Sequence, residues 1–325
     1  MVKIDGKSLT IEDVVNVARF LDSVEATEKQ IKKVEENRKM LEYLLNSGSI
    51  IYGVNTGFGD LLNVSINSDM AIELQKNLIR SHSSGTGEPF SDEVVRAAML
   101  IRANALLKGY SGVRPIVIEY LLEMLNKNLI PVVPSRGSVG ASGDLAPSFM
   151  AGISSLIVHD SFDLLKNALV SFSLSLEALN GTDDAYRSEI LELRPQPGQI
   201  KIGKEIMKLL ENSEIVKKAR ETKVQDAYSL RCTPQVLGPV YDTLSFIKEI
   251  VEREINSVTD NPIVVDRSYS GGNFHGEYMA FSMDFLGIVM SEVANIAERR
   301  IARLVDSKLS GLPPFLSKNP GLNSG

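Results

Sequence analysis

The stretch RGSVGASGDLAP, residues 136–147, decides how the rest of the chain is interpreted. Glycines and small side chains crowd around Ala141-Ser142-Gly143, and Asp144 comes next. A phosphate-binding loop would carry a lysine after its last glycine, whereas an aspartate here would repel phosphate. A nucleophile elbow reads G-x-S-x-G, which residues 140–143 do not match. The local alternative is a tight loop that leads into a helix, with Ser142 or Asp144 as the N-cap.

The composition of the 325-residue chain narrows the class of protein. With 43% hydrophobic residues it can bury a large core, and its net charge of −6 argues against a nucleic-acid partner. No uninterrupted apolar run reaches the roughly 18 residues of a membrane span, and residues 1–15 lack a signal-peptide pattern. The single cysteine, Cys232, excludes an internal disulfide. We therefore expect a soluble cytoplasmic protein with no membrane partner.

The histidines give no metal-binding pattern. His82, His159 and His275 lie far apart, and no pair has H-x-x-x-H spacing. We therefore expect no metal site.

Helical periodicity dominates the chain. Ser91 and Gly109 are start and stop signals around one helix, and Pro115 opens another. Strand-like pieces are short, such as IIYGV at 50–54. Helices over 234–257 and 277–309 would span roughly 35 and 50 Å at about 1.5 Å per residue, which suits an extended bundle shared between subunits. The other helices are predicted at 27–46, 92–108, 161–179 and 202–220. The predicted organisation is one domain over 1–325, with a loop-rich active-site part at about 1–200 and a long-helix bundle at about 201–325.

Six polar stretches, four of which contain glycine, interrupt this helical pattern, and loops of this kind often carry function. They are YGVNTGFGD (52–60), SHSSGTGEP (81–89), the loop at 136–147, VQDAYSLRCTPQ (224–235), TDNP (259–262) and GGNFHGE (271–277).

Taken in order, these motifs resemble the aromatic amino-acid ammonia-lyases, above all the imidazole-specific members of that family. The resemblance covers the whole chain apart from one internal gap. It implies an all-α fold of the ammonia-lyase and fumarase type, a homotetramer, and no metal or diffusible cofactor.

The resemblance also implies that Ala141-Ser142-Gly143 is the precursor of a 4-methylidene-imidazol-5-one (MIO) group, formed autocatalytically. The Gly143 nitrogen attacks the Ala141 carbonyl, and Ser142 then loses water to become the exocyclic methylidene. A glycine beside small side chains allows the required close backbone approach, and the surrounding fold must hold the strain. Asp144 is expected to cap the following helix and to support the ring.

Tyr52 matches the loop tyrosine to which the family assigns removal of the β-proton. Because a free tyrosine has a pKa of about 10, its site must stabilise the phenolate. Ser81-His82 falls where the family recognises the substrate ring, and a histidine there is similar to the imidazole-specific members. Phenylalanine- and tyrosine-specific relatives have other residues at this pair.

Gln225, Tyr228 and Arg231 recur every three residues, so a helical turn would put them on one side. In the family the arginine holds the substrate carboxylate, for which its planar fork is suited. Tyr228, counted with the catalytic residues, and Gln225 line the same pocket, and Phe274 matches an aromatic residue near the prosthetic ring.

Each assignment has a structural alternative. The alternatives are a strand aromatic for Tyr52, a helix-end histidine for His82, an ion-paired Arg231, a core Phe274 and a turn residue for Asn261.

The chain departs from the family pattern at two places. Members carry a longer segment between the prosthetic loop and LRPQPGQ (193–199), and an asparagine in an N-G-T turn of that segment contacts the ring. Asn180-Gly181-Thr182 has this sequence, but its flank SLSLEAL is similar to a later family helix. Members also continue beyond NPGLNSG into a helical region with a substrate-contacting glutamate.

The expected reaction converts L-histidine to trans-urocanate and ammonia. One alternative is a lyase or aminomutase for another aromatic amino acid, such as phenylalanine or tyrosine. The other is a catalytically incomplete scaffold or subunit of the family, which would turn over poorly alone.

Overall fold

The structure is a computed structural model that describes residues 1–137 and 146–323. Ala141, Ser142, Gly143 and Asp144 therefore lie outside the described residues. The helices are α1 (Ile11–Arg19), α2 (Glu28–Asn46), α3 (Ala71–His82), α4 (Asp92–Leu107), α5 (Pro115–Asn126), α6 (Ala146–Ala178), α7 (Ser188–Leu191), α8 (Pro197–Leu209), α9 (Glu214–Ala219), α10 (Tyr228–Arg231), α11 (Thr233–Glu254), α12 (Glu277–Val305) and α13 (Ser307–Ser310).

The described strands form three short ladders of two strands each. β1 (Val2–Ile4) pairs in parallel with β2 (Val24–Ala26), while β3 (Thr86–Pro89) with β4 (Pro134–Arg136) and β5 (Ile263–Val264) with β6 (Ser268–Tyr269) are antiparallel. Helices therefore dominate the described residues, and the predicted all-α class is confirmed.

Local signals coincide with several helix boundaries. Ser91 precedes α4, Gly109 follows it with a φ of +67°, and Pro115 is the first residue of α5, all as predicted. The single helix expected over 202–220 is wrong. It is divided into α8 and α9 because Asn212 takes a φ of +68° and the Ser213 hydroxyl caps α9 at Val216 N.

Two compact units are defined by the contacts within the chain. The first comprises Met1–His159 and Glu249–Ala280, and the second comprises Asp160–Lys248 and Phe281–Gly325.

The first unit is built around α4, which packs against α1 and α5. Arg96 of α4 is 2% exposed and donates to the carbonyls of Val17 (2.9 Å) and Leu125 (3.1 Å) and to the Asn128 side chain (2.9 Å). This buried guanidinium joins the end of α5 to α1, and burial lowers its pKa.

In the second unit, α8 and α11 approach closely at two glycines. A Cβ on Gly198 would lie 2.2 Å from the Gly238 carbonyl oxygen, so a larger residue cannot fit without displacing backbone. The contact lets the Asp242 carboxylate accept from Gly198 N (3.1 Å) in the first turn of α8, where a negative charge is favourable.

By length and composition alone, α12 is long and apolar enough to cross a membrane, and 28% of its most apolar 18 residues are buried. The core helix of a soluble protein can have the same length and composition, and among the described residues no other helix has them.

Candidate active site

A cavity of about 680 Å³ in the first unit is lined by Tyr52 and Asn261, and its other lining residues are Ile50, Thr56, Gly59, Leu62, Asn63, Ser65 and Ser270. The strand expected at 50–54 is wrong, because residues 52–54 form a turn. The Asn55 side chain accepts from Ile51 N (2.7 Å), and the Thr56 hydroxyl accepts from Gly53 N (3.0 Å). Polar side chains of YGVNTGFG thus bend this segment and place Tyr52 at the cavity.

The Tyr52 hydroxyl oxygen accepts a hydrogen bond from Gly59 N (3.0 Å). Gly59 begins a 3-10 turn, Gly59–Leu61, so this N–H belongs to the donor end of the turn. The Tyr52 ring makes an edge contact with Phe58, with ring centroids 6.0 Å apart. A backbone donor at the phenolic oxygen stabilises negative charge there.

Asn261 reaches the Tyr52 cavity because its neighbour Asp260 is anchored. Asp260 accepts from Arg102 Nη1 (2.5 Å) and from the Ser111 hydroxyl, while Asn261 Oδ1 accepts from Gly271 N (3.0 Å). From the sequence, Asn261 is predicted only as a turn residue and not as a member of the site. Its only signal was the position of TDNP between two predicted helices.

His82 is the last residue of α3 and is exposed. Its Nδ1 lies 2.9 Å from the Leu78 carbonyl oxygen and 2.9 Å from the Ser81 Oγ. Because a carbonyl oxygen only accepts, this contact places a proton on Nδ1, and in the neutral imidazole Nε2 is then an acceptor.

Phe274 is half-buried in the segment that precedes α12. Two residues later, a Cβ on Gly276 would lie 2.4 Å from the Met150 side chain of α6, so the GGNFHGE segment runs close to α6 in the first unit.

The segment 225–233 of the second unit carries three of the predicted site residues. Tyr228 and Arg231 begin and end α10, and the Arg231 guanidinium lies 4.5 Å from the Tyr228 ring centroid. Gln225 precedes α10 and is exposed, so the expectation that one helical turn holds all three is correct for two of them. Arg231 Nε is buried and has no hydrogen-bond partner among the described residues, so a donor is left for an incoming carboxylate.

Hydrogen bonds from neighbouring residues hold the segment 225–233 in place. Buried Asp226 accepts from Thr182 N (2.6 Å) and from Lys223 Nζ (3.2 Å), and the Tyr186 hydroxyl donates to the Leu230 carbonyl (3.1 Å). Burial raises the pKa of Tyr186, which keeps its hydroxyl a donor.

Asn180 is exposed and lies two residues beyond the end of α6. Its φ is +50°, and Gly181 N donates to the Leu176 carbonyl (2.7 Å), which is the hydrogen-bond pattern of a helix stop. Among residues 1–137 and 146–323, no group of three His, Cys, Asp or Glu is arranged to hold a metal ion.

The chain matches the sequence model of the aromatic amino acid lyase family in two segments, 9–148 and 147–325. It is 46% identical to a probable histidine ammonia-lyase of Thermoplasma acidophilum, over all of this chain and 76% of that protein. A histidine ammonia-lyase of Streptococcus sanguinis is 43% identical over all of this chain and 73% of its own length.

Solved structures give the same result. A tyrosine aminomutase from Streptomyces globisporus superposes with a TM-score of 0.92 at 31% identity, covering 99% of this chain and 74% of that one. A histidine ammonia-lyase from Trypanosoma cruzi superposes with a TM-score of 0.84 at 31% identity, covering 99% and 70%. This chain therefore belongs to the aromatic amino acid lyase family.

The internal gap is also visible in these alignments. The Thermoplasma alignment has 375 positions against 325 residues here, a difference of 50, so that relative has at least about 50 residues that this chain lacks. The two segments of the family match meet at 147–148, which puts the gap directly after RGSVGASGDLAP.

Proposed function

We propose that this chain is a histidine ammonia-lyase, which converts L-histidine to trans-urocanate and ammonia. The observation that carries an amino-acid substrate is the unpaired, buried Nε of Arg231 beside Tyr228. The specificity for histidine is supported by Ser81-His82 and by the names of the relatives.

Arg231 binds the substrate carboxylate through its planar fork, with Gln225 and Tyr228 beside it in sequence. The acceptor Nε2 of His82 receives the N–H of the substrate imidazole, which a phenyl ring cannot offer. Phe274 supplies an apolar wall.

Tyr52 removes the β-proton as a phenolate. The Gly59 amide stabilises the negative charge on the phenolate oxygen, and Asn261 provides a further polar group in the same cavity. The substrate thereby loses one C–H proton to this base and loses its amine as ammonia.

Ala141, Ser142 and Gly143 are proposed to form MIO, with Asp144 and Asn180 as supporting residues. When formed, the group supplies an electrophile that makes the amine a better leaving group. Before these residues, β4 is paired with β3, and the chain approaches Gly85 closely, because a Cβ on Gly137 would lie 2.9 Å from Gly85 Cα. The phenol of Tyr52 and the buried Nε of Arg231, which has no hydrogen-bond partner among the described residues, also suit this chemistry.

A homotetramer and a cytoplasmic location belong to the same proposal. Large apolar side chains of α12 are exposed in the single chain and would be buried by assembly; they are Tyr278, Phe281, Phe285, Ile288 and Ile301. The single cysteine suits a reducing compartment.

The decisive experiment offers the purified chain L-histidine, L-phenylalanine and L-tyrosine and follows ultraviolet absorbance of the conjugated products. Intact mass is measured in parallel, because ring formation makes the chain lighter by two waters. We expect preference for histidine, and Ser142→Ala, which has no hydroxyl to eliminate, is expected to lose at most one water and to lose turnover. Preference for tyrosine or phenylalanine would favour the lyase or aminomutase alternative, and a matured ring with no turnover would favour the incomplete scaffold.

A further inference from the structure

A second arginine lies beneath the Arg231 segment. Arg300 of α12 is 5% exposed and belongs to the second unit, as does α10. Its Nε donates to the Ser229 carbonyl (2.9 Å), and its Nη2 donates to the Thr233 hydroxyl (2.9 Å). These two acceptors flank Arg231 in sequence, so one guanidinium holds the segment on both sides of Arg231.

The surroundings of Arg300 are neutral. Its guanidinium lies 4.6 Å from the Phe172 ring centroid, and no carboxylate among the described residues pairs with it. Burial lowers the pKa of Arg300 to about 10, so the side chain is still cationic at neutral pH. Leaving a charge buried without a counter-ion is unfavourable for folding alone, and such charges often have a functional role.

Two further side chains donate hydrogen bonds to the backbone of the same segment. The Thr233 hydroxyl donates to the Leu230 carbonyl (2.7 Å), the carbonyl to which Tyr186 also donates. The backbone of 229–233 therefore has three side-chain donors under it, and only Arg300 carries charge.

We propose that Arg300 is a positioning residue for substrate carboxylate binding: through Ser229 and Thr233 it holds α10 so that Arg231 is correctly aimed, and its charge adds to the attraction for the carboxylate. The inference rests on the proposed function for the identity of the ligand. The positioning of α10 can be measured without it.

Cys232 provides that measurement, because it is the only cysteine of the chain and follows Arg231 directly. Its backbone N–H donates to the Tyr228 carbonyl (3.0 Å), and its side chain lines a groove of about 570 Å³. Cys232 is partly exposed, so the rate of thiol modification by a disulfide reagent under native conditions, compared with the parent rate, reports how far the segment departs from its native packing.

The variants are Arg300→Lys, which keeps the charge but cannot make both bonds, and Thr233→Val, which keeps the shape and the charge of Arg300. Arg96→Lys is the matched control, since Arg96 is equally buried and also binds carbonyls but lies in the other compact unit. We expect Arg300→Lys and Thr233→Val to raise the rate of thiol modification roughly tenfold or more, because each variant loses about one charged hydrogen bond. We expect Arg96→Lys to leave this rate unchanged when the variants are compared at equal global stability.

The second measurement is kinetic. Arg300→Lys is expected to raise KM for L-histidine more than it lowers kcat, because the affected group binds the carboxylate in ground and transition states alike. An unchanged thiol rate in both variants, or an equal rise in the Arg96 control, would overturn the positioning role. If the thiol rate rises while the parent chain binds no histidine, the proposed function fails and the positioning of α10 stands.

Discussion

Replacing Tyr52 by Phe removes one oxygen from the candidate active site and leaves the ring in place. The edge contact with Phe58 is retained, and such contacts contribute about 0.5–1.5 kcal/mol beyond burial. Gly59 N loses its acceptor, but Gly59 is exposed, so water replaces the bond and the free energy of unfolding should fall by less than about 1 kcal/mol. The folded structure should therefore persist.

Turnover should respond very differently. Loss of a positioned general base lowers the rate by roughly 10²- to 10⁴-fold, about 2.7–5.5 kcal/mol of activation free energy. The assay is initial-rate formation of the conjugated product from L-histidine, at equal ring content as judged by intact mass. Tyr43→Phe is the control, since Tyr43 is an exposed tyrosine on α2. A kcat for Tyr52→Phe within threefold of the parent would refute the assignment of the base.

Three substitutions probe the site and one probes stability. Arg231→Lys should lower kcat/KM for L-histidine by roughly ten- to a hundred-fold, the value of a charged hydrogen bond, in steady-state assays. His82→Leu should reduce activity on histidine more than on phenylalanine, and an equal reduction would assign His82 a structural role. Asn180→Gly keeps the left-handed helix stop, so urea unfolding should be unchanged, and any fall in turnover would show a ring-supporting role. Burial raises the pKa of Glu254, so the native state binds the proton more tightly and this stability is lost as pH rises through the raised value. Glu254→Gln should therefore raise Tm at pH 7 and have little effect near pH 3.

The sequence predicted the starts of α4 and α5 correctly. Ser91 and Pro115 begin their helices for reasons that the sequence alone contains. The apolar residues at 50–54 predict a strand, whereas residues 52–54 form a turn. The pattern of apolar residues carries no information about the hydrogen bond that the Asn55 side chain accepts from Ile51 N. The three-residue spacing from Gln225 likewise could not show that α10 is only one turn long.

The candidate site was predictable through its motifs, whereas the groups that support it were not. Arg231 stands in a recognisable motif, but Arg299 and Arg300 are adjacent arginines on one helix, and nothing local distinguishes them. Arg299 is paired with the exposed Glu298, while Arg300 is buried beneath Ser229, some seventy residues earlier in sequence. Only the packing of α12 against α10 determines that Arg299 is solvated and Arg300 is buried.

The internal gap at 147–148 falls in the first turn of α6, where the described packing is dense. Phe149 stacks on Phe90 with ring centroids 5.6 Å apart, and a Cβ on Gly152 would lie 3.1 Å from Ala98 N of α4. A helix that begins in this way needs no inserted segment to cover its first turns. Shortening therefore leaves these contacts in place, and its expected effect is on catalysis, where Asn180 is the remaining N-G-T asparagine that could support the ring.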